Sequence, residues 1–296
     1  LHGLLRLTPG IQEHFTFEIA SSAKGIYFYT WVPEHLIDFV KSQIFAQYPE
    51  AEIETAEDYS RELDSLGKSM YGTRIKLAKD YIFPIKTFPD FDVDPLAAIT
   101  GAISEVGPKD QVWIQMVLRP VPDIWQEDGY DYIEALRSGV GTGEFSLGKV
   151  TKAVAGGLGE IIKDIPTMVF RPGKEVEVEE SGGVQLTPAQ QTEVQAIEEK
   201  LSRVGFEVGI RVLAIAETPE KANSLIRSSS ASFKQFSTAN LNSFTRSECI
   251  EECNEFLENY RNRAFPSSWA YVLNTEELAS VFHLPNVSVE TPALAW

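Results

Sequence analysis

Cysteine is scarce in this sequence, with two residues in 296. Cys249 and Cys253 lie four positions apart in a helical pattern, so we expect both on one face of a helix. We interpret them as small buried side chains, because a zinc site needs further ligands and no histidine is near. So few cysteines suit a reducing compartment, which predicts a cytoplasmic location.

Basic residues are also few: 26 Lys and Arg oppose 43 Asp and Glu, for a formal net charge of −17. Nucleic-acid-binding domains usually carry a basic face, so direct nucleic-acid binding is not expected, although the composition leaves room for a local basic patch.

Long apolar runs are missing, since none reaches the roughly 18 residues of a membrane span, and no signal peptide opens the chain. The first residue is Leu1, so we expect a part cut from a longer protein, with a membrane segment upstream left open. The length of 296 residues indicates one large or two modest domains.

Catalytic and metal-binding patterns are weak. The four histidines are widely spaced, and none has a second ligand at a metal-binding spacing: His2, His14, His35 and His283. Asp90, Asp92 and Asp94 alternate as in a calcium loop but lack its glycine and distal glutamate, so a solvated edge is expected. No nucleophile, base and orienting group stand out, which leaves an uncharacterised α+β enzyme as an alternative.

Residues 143–149 match the first seven positions of a phosphate-binding P-loop. The eighth position is Val150, where the loop needs a Ser or Thr hydroxyl to hold Mg²⁺. No hydrophobic strand precedes the segment, and Glu144 would face the phosphates. We therefore interpret it as a surface loop and expect no cofactor in this chain.

The first part predicts a strand at 15–20, a turn at 21–24 and an aromatic strand at 25–32. Pro33 then begins a helix with one apolar stripe: Leu36, Ile37, Val40, Ile44 and Tyr48. Further strands are predicted at 51–55, 74–77 and 111–118, and helices at 95–106 and 125–137.

The aromatic strand places Tyr27, Tyr29 and Trp31 on one face, opposite Ile26 and Phe28. Exposed rings on such a strand stack bases in RNA-recognition modules, so an aromatic-sheet nucleic-acid-binding module is a second alternative. We favour core or interface packing for these rings.

The last part is more regular. Capping boxes are predicted at Thr187–Gln190 and Asn274–Glu277, and a further cap at Thr245–Glu248 begins a helix that ends near residue 260. Gly205 is predicted to end the first of these helices. Strands are expected at 206–212, with one buried face, and at 271–273. A helix is predicted to begin at Thr218.

These elements predict an α+β fold with helices on mainly antiparallel sheets. The repeat of strand, Pro-Glu, helix and strand in both parts suggests ferredoxin-like split β-α-β units, with duplication left open. We divide the chain into a first unit at 1–137, a flexible insertion or linker at 138–185, and a second unit at 186–296.

Several segments carry a resemblance to a known family. They are Phe-Lys-Gln-Phe at 233–236, Tyr-Arg-Asn-Arg at 260–263, and residues 272–279, 283–286, 84–95 and 112–115. Together they resemble the accessory region upstream of the motor in bacterial type IV secretion (conjugation-type) ATPases of the HerA/FtsK-like helicase group. The likeness covers most of residues 11–292, with 138–183 unmatched.

The resemblance implies a non-catalytic accessory or assembly domain at the inner face of the cell membrane. Its implied partners are its own ATPase motor domain and other secretion-complex subunits. The full protein is expected to form a homo-oligomer. ATP and Mg²⁺ are expected only in the motor, which is absent from these 296 residues.

The C-terminal helix is the predicted motor-docking element. Its cap and its proline stop should make it rigid, and an apolar tail follows it (Val287, Val289 and Leu294). The predicted docking residues are Asn274, Glu277, Leu278, Phe282 and Pro285.

Overall fold

The computed structural model describes residues 13–65, 68–104, 106–139, 185–248, 250–251 and 254–285. Within these ranges, seven α-helices accompany the sheet. They are α1 (Ile37–Gln47), α2 (Pro95–Ser104), α3 (Glu127–Arg137), α4 (Pro188–Leu201), α5 (Pro219–Ser232), α6 (Asn254–Arg261) and α7 (Thr275–Val281).

Eight strands of the described residues form one sheet. They are β1 (Phe15–Ser22), β2 (Gly25–Trp31), β3 (Ser69–Leu77), β4 (Gln111–Pro120), β5 (Gly205–Ala216), β6 (Phe244–Arg246), β7 (Ile250–Glu251) and β8 (Tyr271–Asn274). The order is β2-β1-β4-β5-β3-β6, with β7 also pairing β3 and β8 also pairing β5. Every pair is antiparallel.

Both faces of the central strands are buried, because helices cover one face and a thinner layer covers the other. In β5, Ile210 and Val212 join the large core that α2, α3, α4, α5 and α7 also line. Leu213 and Ile215 point to the opposite face, where they pack with Phe256 of α6 in a smaller cluster. The prediction that β5 has one buried face was therefore wrong.

The second face is approached closely by the chain between 254 and 270. A Cβ added at Gly209 of β5 would lie 2.1 Å from Cγ of Pro266, and one at Gly72 of β3 would lie 2.3 Å from Phe256. The two glycines thus let the covering layer sit directly on the sheet backbone.

Local capping signals were confirmed. Thr187 and Gln190 form a capping box at α4, and Asn274 and Glu277 form another at α7. Thr218 likewise caps α5 by accepting a hydrogen bond from the backbone N–H of Lys221.

Other local predictions were wrong. Residues 51–55 form no strand, and Thr245 lies in β6, not at a helix N-terminus. Gly205 begins β5, since α4 already ends before Ser202. Thr245 pairs with Lys76 of β3 and Gly205 pairs with Asn274 of β8, and such distant pairing is not visible in local spacing.

The α+β class and the antiparallel sheet with packed helices are confirmed. The ferredoxin-like detail is not, because β5 of the second predicted unit lies between β4 and β3 of the first. The strands of residues 1–137 and 186–296 therefore hydrogen-bond within one sheet.

Candidate functional site

Two of the predicted docking residues, Asn274 and Glu277, belong to a cluster around a buried ion pair. The side chain of Asn274 caps α7 at the backbone N–H of Glu277, and the carboxylate of Glu277 accepts from the backbone N–H of Asn274. The same carboxylate lies 2.8 Å from Nζ of Lys200 and accepts a 3.0 Å bond from the backbone N–H of Ile85. Glu277 thus joins α7, α4 and the segment before α2.

Burial dominates the electrostatics of this pair. Lys200 and Glu277 are almost fully shielded from solvent, with side-chain exposures of 0% and 1%. Desolvation lowers the pKa of Lys200 below its ordinary value, although the Glu277 carboxylate acts in the opposite direction. A pair in such surroundings fixes the geometry of the elements that carry it.

Leu278 and Phe282 are core residues of this chain. They are 8% and 7% exposed, and the ring of Phe282 stacks on Phe17 with centroids 4.5 Å apart. Pro285 is half-buried. Because the buried side chains of α7 already pack within the chain, any docking at this helix would have to use its exposed surface.

A second polar network lies beneath α6, and sequence reasoning missed it. Glu18 of β1 is fully buried and accepts hydrogen bonds from Thr16, Gln115 and Tyr59, and it pairs with Nε of Arg263 at 3.0 Å.

The same Arg263 guanidinium donates two further bonds to the carboxylate of Asp58, at 2.8 and 3.0 Å. Tyr260 lies within hydrogen-bonding distance of Tyr59, and its carbonyl accepts from Gln115. The network therefore ties residues 58–59 and 260–263 to the middle of the sheet.

The pKa values of several groups in and beside this network are shifted. Burial opposes the charge on Asp58, but hydrogen bonds from Arg263 and Ser60 lower its pKa to about 2. Arg211 of β5 joins the network by donating a hydrogen bond to Gln115. Burial lowers the pKa of Arg211 to about 10 and raises that of Tyr260 well above its ordinary value. One feature of the sequence could have indicated this site. The carboxylate Glu18 and the amide Gln115 each lie between apolar neighbours in a strand.

Helix α1 leaves apolar side chains at the surface. The stripe predicted to be buried is only partly so: Leu36, in the turn before the helix, is buried, while no residue of α1 is. Ile37 and Phe45 are 37% and 43% exposed, and Trp31 at the end of the edge strand β2 is 40% exposed. We call Trp31, Ile37 and Phe45 the exposed apolar set.

The predicted alternation along β2 is present. Ile26 and Phe28 pack in the large core, and Tyr29 packs against the cluster on the other face. Tyr29 stacks on Tyr59 with centroids 4.8 Å apart, and Tyr59 meets Trp113 edge-on at 4.7 Å.

The remaining sequence candidates do not converge. His283 bonds Asp94 at 2.9 Å, and His14 bonds the carbonyl of Arg263. Cys249, Cys253, the P-loop-like segment 143–150 and the apolar tail after Pro285 lie outside the described residues.

Among the residues that are described, no group of three or more His, Cys, Asp or Glu side chains is placed to hold a metal ion. Nor does that part of the chain contain a helix with the length and apolarity to cross a membrane.

In the described part of the chain, the fold and these networks define an α+β protein whose strands form one antiparallel sheet, with buried ion pairs on both of its faces. The chain belongs to a family described as a domain of unknown function, DUF8128, whose model matches residues 4–296. No curated protein matches the chain.

Proposed function

We propose that this chain is a non-catalytic accessory domain of a type IV secretion-like ATPase, and that it docks on the motor domain of that ATPase. The proposal starts from the resemblance of six segments to the accessory region of such proteins, namely residues 84–95, 112–115, 233–236, 260–263, 272–279 and 283–286. ATP and Mg²⁺ then belong to the motor, and this chain contributes assembly. The proposed setting is the inner face of the cell membrane, where the full protein would form a homo-oligomer and contact other secretion-complex subunits.

The exposed apolar set is the observation that supports docking best. A helix with no buried residue gains little from packing on its own domain, yet α1 carries Ile37 and Phe45 at its surface. Burying large apolar side chains against a partner yields roughly 25 cal/mol per Å² of surface removed from water. Aromatic residues such as Phe45 and Trp31 are also enriched at interfaces.

The reading frame provides a first test. We expect the codons after residue 296 to encode a Walker A motif, Gly-x-x-x-x-Gly-Lys-Ser/Thr, at the start of a motor domain. A reading frame that continues without one would contradict the proposal.

Charge insertion provides the second test. In the protein that carries the motor, the double variant Ile37→Glu/Phe45→Glu should lower the oligomer mass measured by light scattering and reduce ATP hydrolysis. The matched control is Val93→Glu/Tyr130→Glu, which adds the same charge at side chains that are 72% and 52% exposed.

The control should keep the wild-type mass and rate, and circular dichroism should show both variants folded. Normal assembly and hydrolysis by the Ile37→Glu/Phe45→Glu protein would show that the exposed apolar set is not a docking surface.

A further inference from the structure

A cavity of about 450 Å³ opens where the β1–β2 hairpin turns, on the same side of the sheet as α6. Its wall is formed by the ends of β1 and β2, the start of β4, the loop before β4, and Tyr59. This volume lies in the range of pockets that bind small molecules.

Aromatic rings form one wall of the cavity. Tyr27 and Tyr29 are neighbours on one face of β2, with ring centroids 6.3 Å apart, and both are half-buried. Tyr29 is held by its stacking on Tyr59, which in turn rests against the buried Trp113. These contacts hold the Tyr29 ring in position in the cavity wall, next to Tyr27.

Lysines form the rim. Lys24, Lys68 and Lys109 all line the cavity. Lys109 pairs with Glu217 at 2.8 Å, but both side chains are more than half exposed, and such surface pairs are weak. In the described part of the chain, neither Lys24 nor Lys68 has a carboxylate within ion-pair distance; Lys68 instead donates to the carbonyl of Lys109.

The net charge of −17 does not cancel this local cluster. At physiological ionic strength the screening length is about 8 Å, so exposed carboxylates elsewhere on the surface act weakly at the cavity. The buried Asp110 is the acid in the lining, and Lys221 lies 3.5 Å from it. The lysine rim is thus a local positive site on an acidic protein.

We propose that this cavity binds a nucleotide unit, with its base stacked on Tyr27 and Tyr29 and its phosphate between Lys24, Lys68 and Lys109. Stacking on aromatic side chains is tolerant of base identity, and lysines neutralise phosphates. The combination of rings and lysines selects a ligand with both a planar ring and an anion, and a lipid headgroup or a phosphoserine peptide lacks the planar ring. The site is distinct from the exposed apolar set and does not depend on docking to a motor.

Fluorescence anisotropy of the whole chain tests the site, with labelled oligothymidylate of about ten nucleotides at about 50 mM salt. Tyr27→Ala should weaken binding by roughly 5- to 150-fold through lost stacking. Lys24→Gln/Lys109→Gln should weaken it and lower the slope of log affinity against log salt by about 1.4, since each phosphate contact on a single strand contributes about 0.7.

The control Lys76→Gln/Lys234→Gln removes the same charge from exposed lysines outside the cavity lining and should bind like the wild type. Thymidine monophosphate as competitor separates the two sources of the ligand. If the monophosphate and the oligomer bind with equal affinity, the natural ligand is a free nucleotide. If the oligomer binds at least tenfold more tightly, the natural ligand is a nucleic-acid strand.

Three results would overturn the proposal. The first is that the wild-type chain binds neither probe. The second is that the cavity and control lysine variants lose equal amounts of affinity. The third is that tripolyphosphate binds as tightly as the oligomer and that Tyr27→Ala loses no affinity. The last result would mark a simple anion site. Circular dichroism of each variant excludes unfolding as the cause of a loss.

Discussion

At the scale of single residues, the environment of a charge decides what its removal costs. Glu277→Gln leaves Lys200 buried without its carboxylate, and breaking a buried pair in this way costs about 3–5 kcal/mol. The matched variant Glu198→Gln breaks the pair with Arg137, whose side chains are 57% and 47% exposed, and should cost less than about 1 kcal/mol. Urea denaturation of both variants measures the two free energies of unfolding.

The pH dependence of the Glu277→Gln variant provides a check on this interpretation. Without the carboxylate, burial should lower the pKa of Lys200 further in the folded state, so the unfolded state binds more protons and stability rises with pH. The deficit relative to wild type should therefore shrink as the pH is raised from neutral toward the ordinary lysine pKa of about 10.4. A stability deficit of Glu277→Gln that stays constant with pH would contradict this account of Lys200.

Asp58 should contribute to acid sensitivity. Its pKa in the folded protein is about 2, against an ordinary value of 3.8, because the hydrogen bonds from Arg263 and Ser60 outweigh burial. A lowered pKa gives stability that is complete above the ordinary value and is lost as the pH falls through the folded one. The stability difference between wild type and Asp58→Asn should therefore shrink between pH 4 and 2, roughly the interval between those two values.

Urea titrations at a series of pH values measure that difference. Asp38→Asn removes an exposed carboxylate of α1 and serves as the control. A difference between wild type and Asp58→Asn that is independent of pH would show that the ion pair with Arg263 is not formed in solution.

At the scale of elements, α7 belongs to the core on which it packs. Phe282→Ala removes a ring that stacks on Phe17 and contacts Phe28, and should cost about 3–5 kcal/mol of stability. Phe88→Ala truncates a side chain that is 53% exposed and should cost much less. Thermal or urea unfolding of this chain alone measures both, and a cost for Phe282→Ala no greater than for Phe88→Ala would show that α7 is detached.

The same helix shows what local sequence determines. Its cap at Asn274 and Glu277 was predictable because the two residues lie three positions apart and satisfy each other. The partners of that cap, Lys200 and the backbone of Ile85, come from distant parts of the chain and left no local signal. The Glu18–Arg263 pair was missed for the same reason, since 245 positions separate its members.

At the scale of the whole molecule, β5 pairs the part of the described chain after residue 185 with strands from the part before residue 138. Residues Phe206 to Ile215 of β5 pair with β4 across ten positions, and β5 pairs with β3 across seven. Both neighbours precede residue 138, whereas β5 follows residue 185. Strand order is set by contacts far apart in sequence, which explains why periodicity predicted most strands and helices but not their arrangement into one sheet.

This arrangement predicts that the parts 1–137 and 186–296 do not fold separately. Alone, the second part would lose the pairing of β5 with both β4 and β3, keeping only its short pairing with β8. It would also expose the apolar side chains Ile210, Val212 and Leu213, which are buried in the intact chain. The first part would lack the strand that joins β4 to β3. We expect each part alone to lack a cooperative unfolding transition and to aggregate, and the two parts made together to copurify and unfold as one unit. Two separate cooperative transitions from the isolated parts would show instead that each half carries its own stable core.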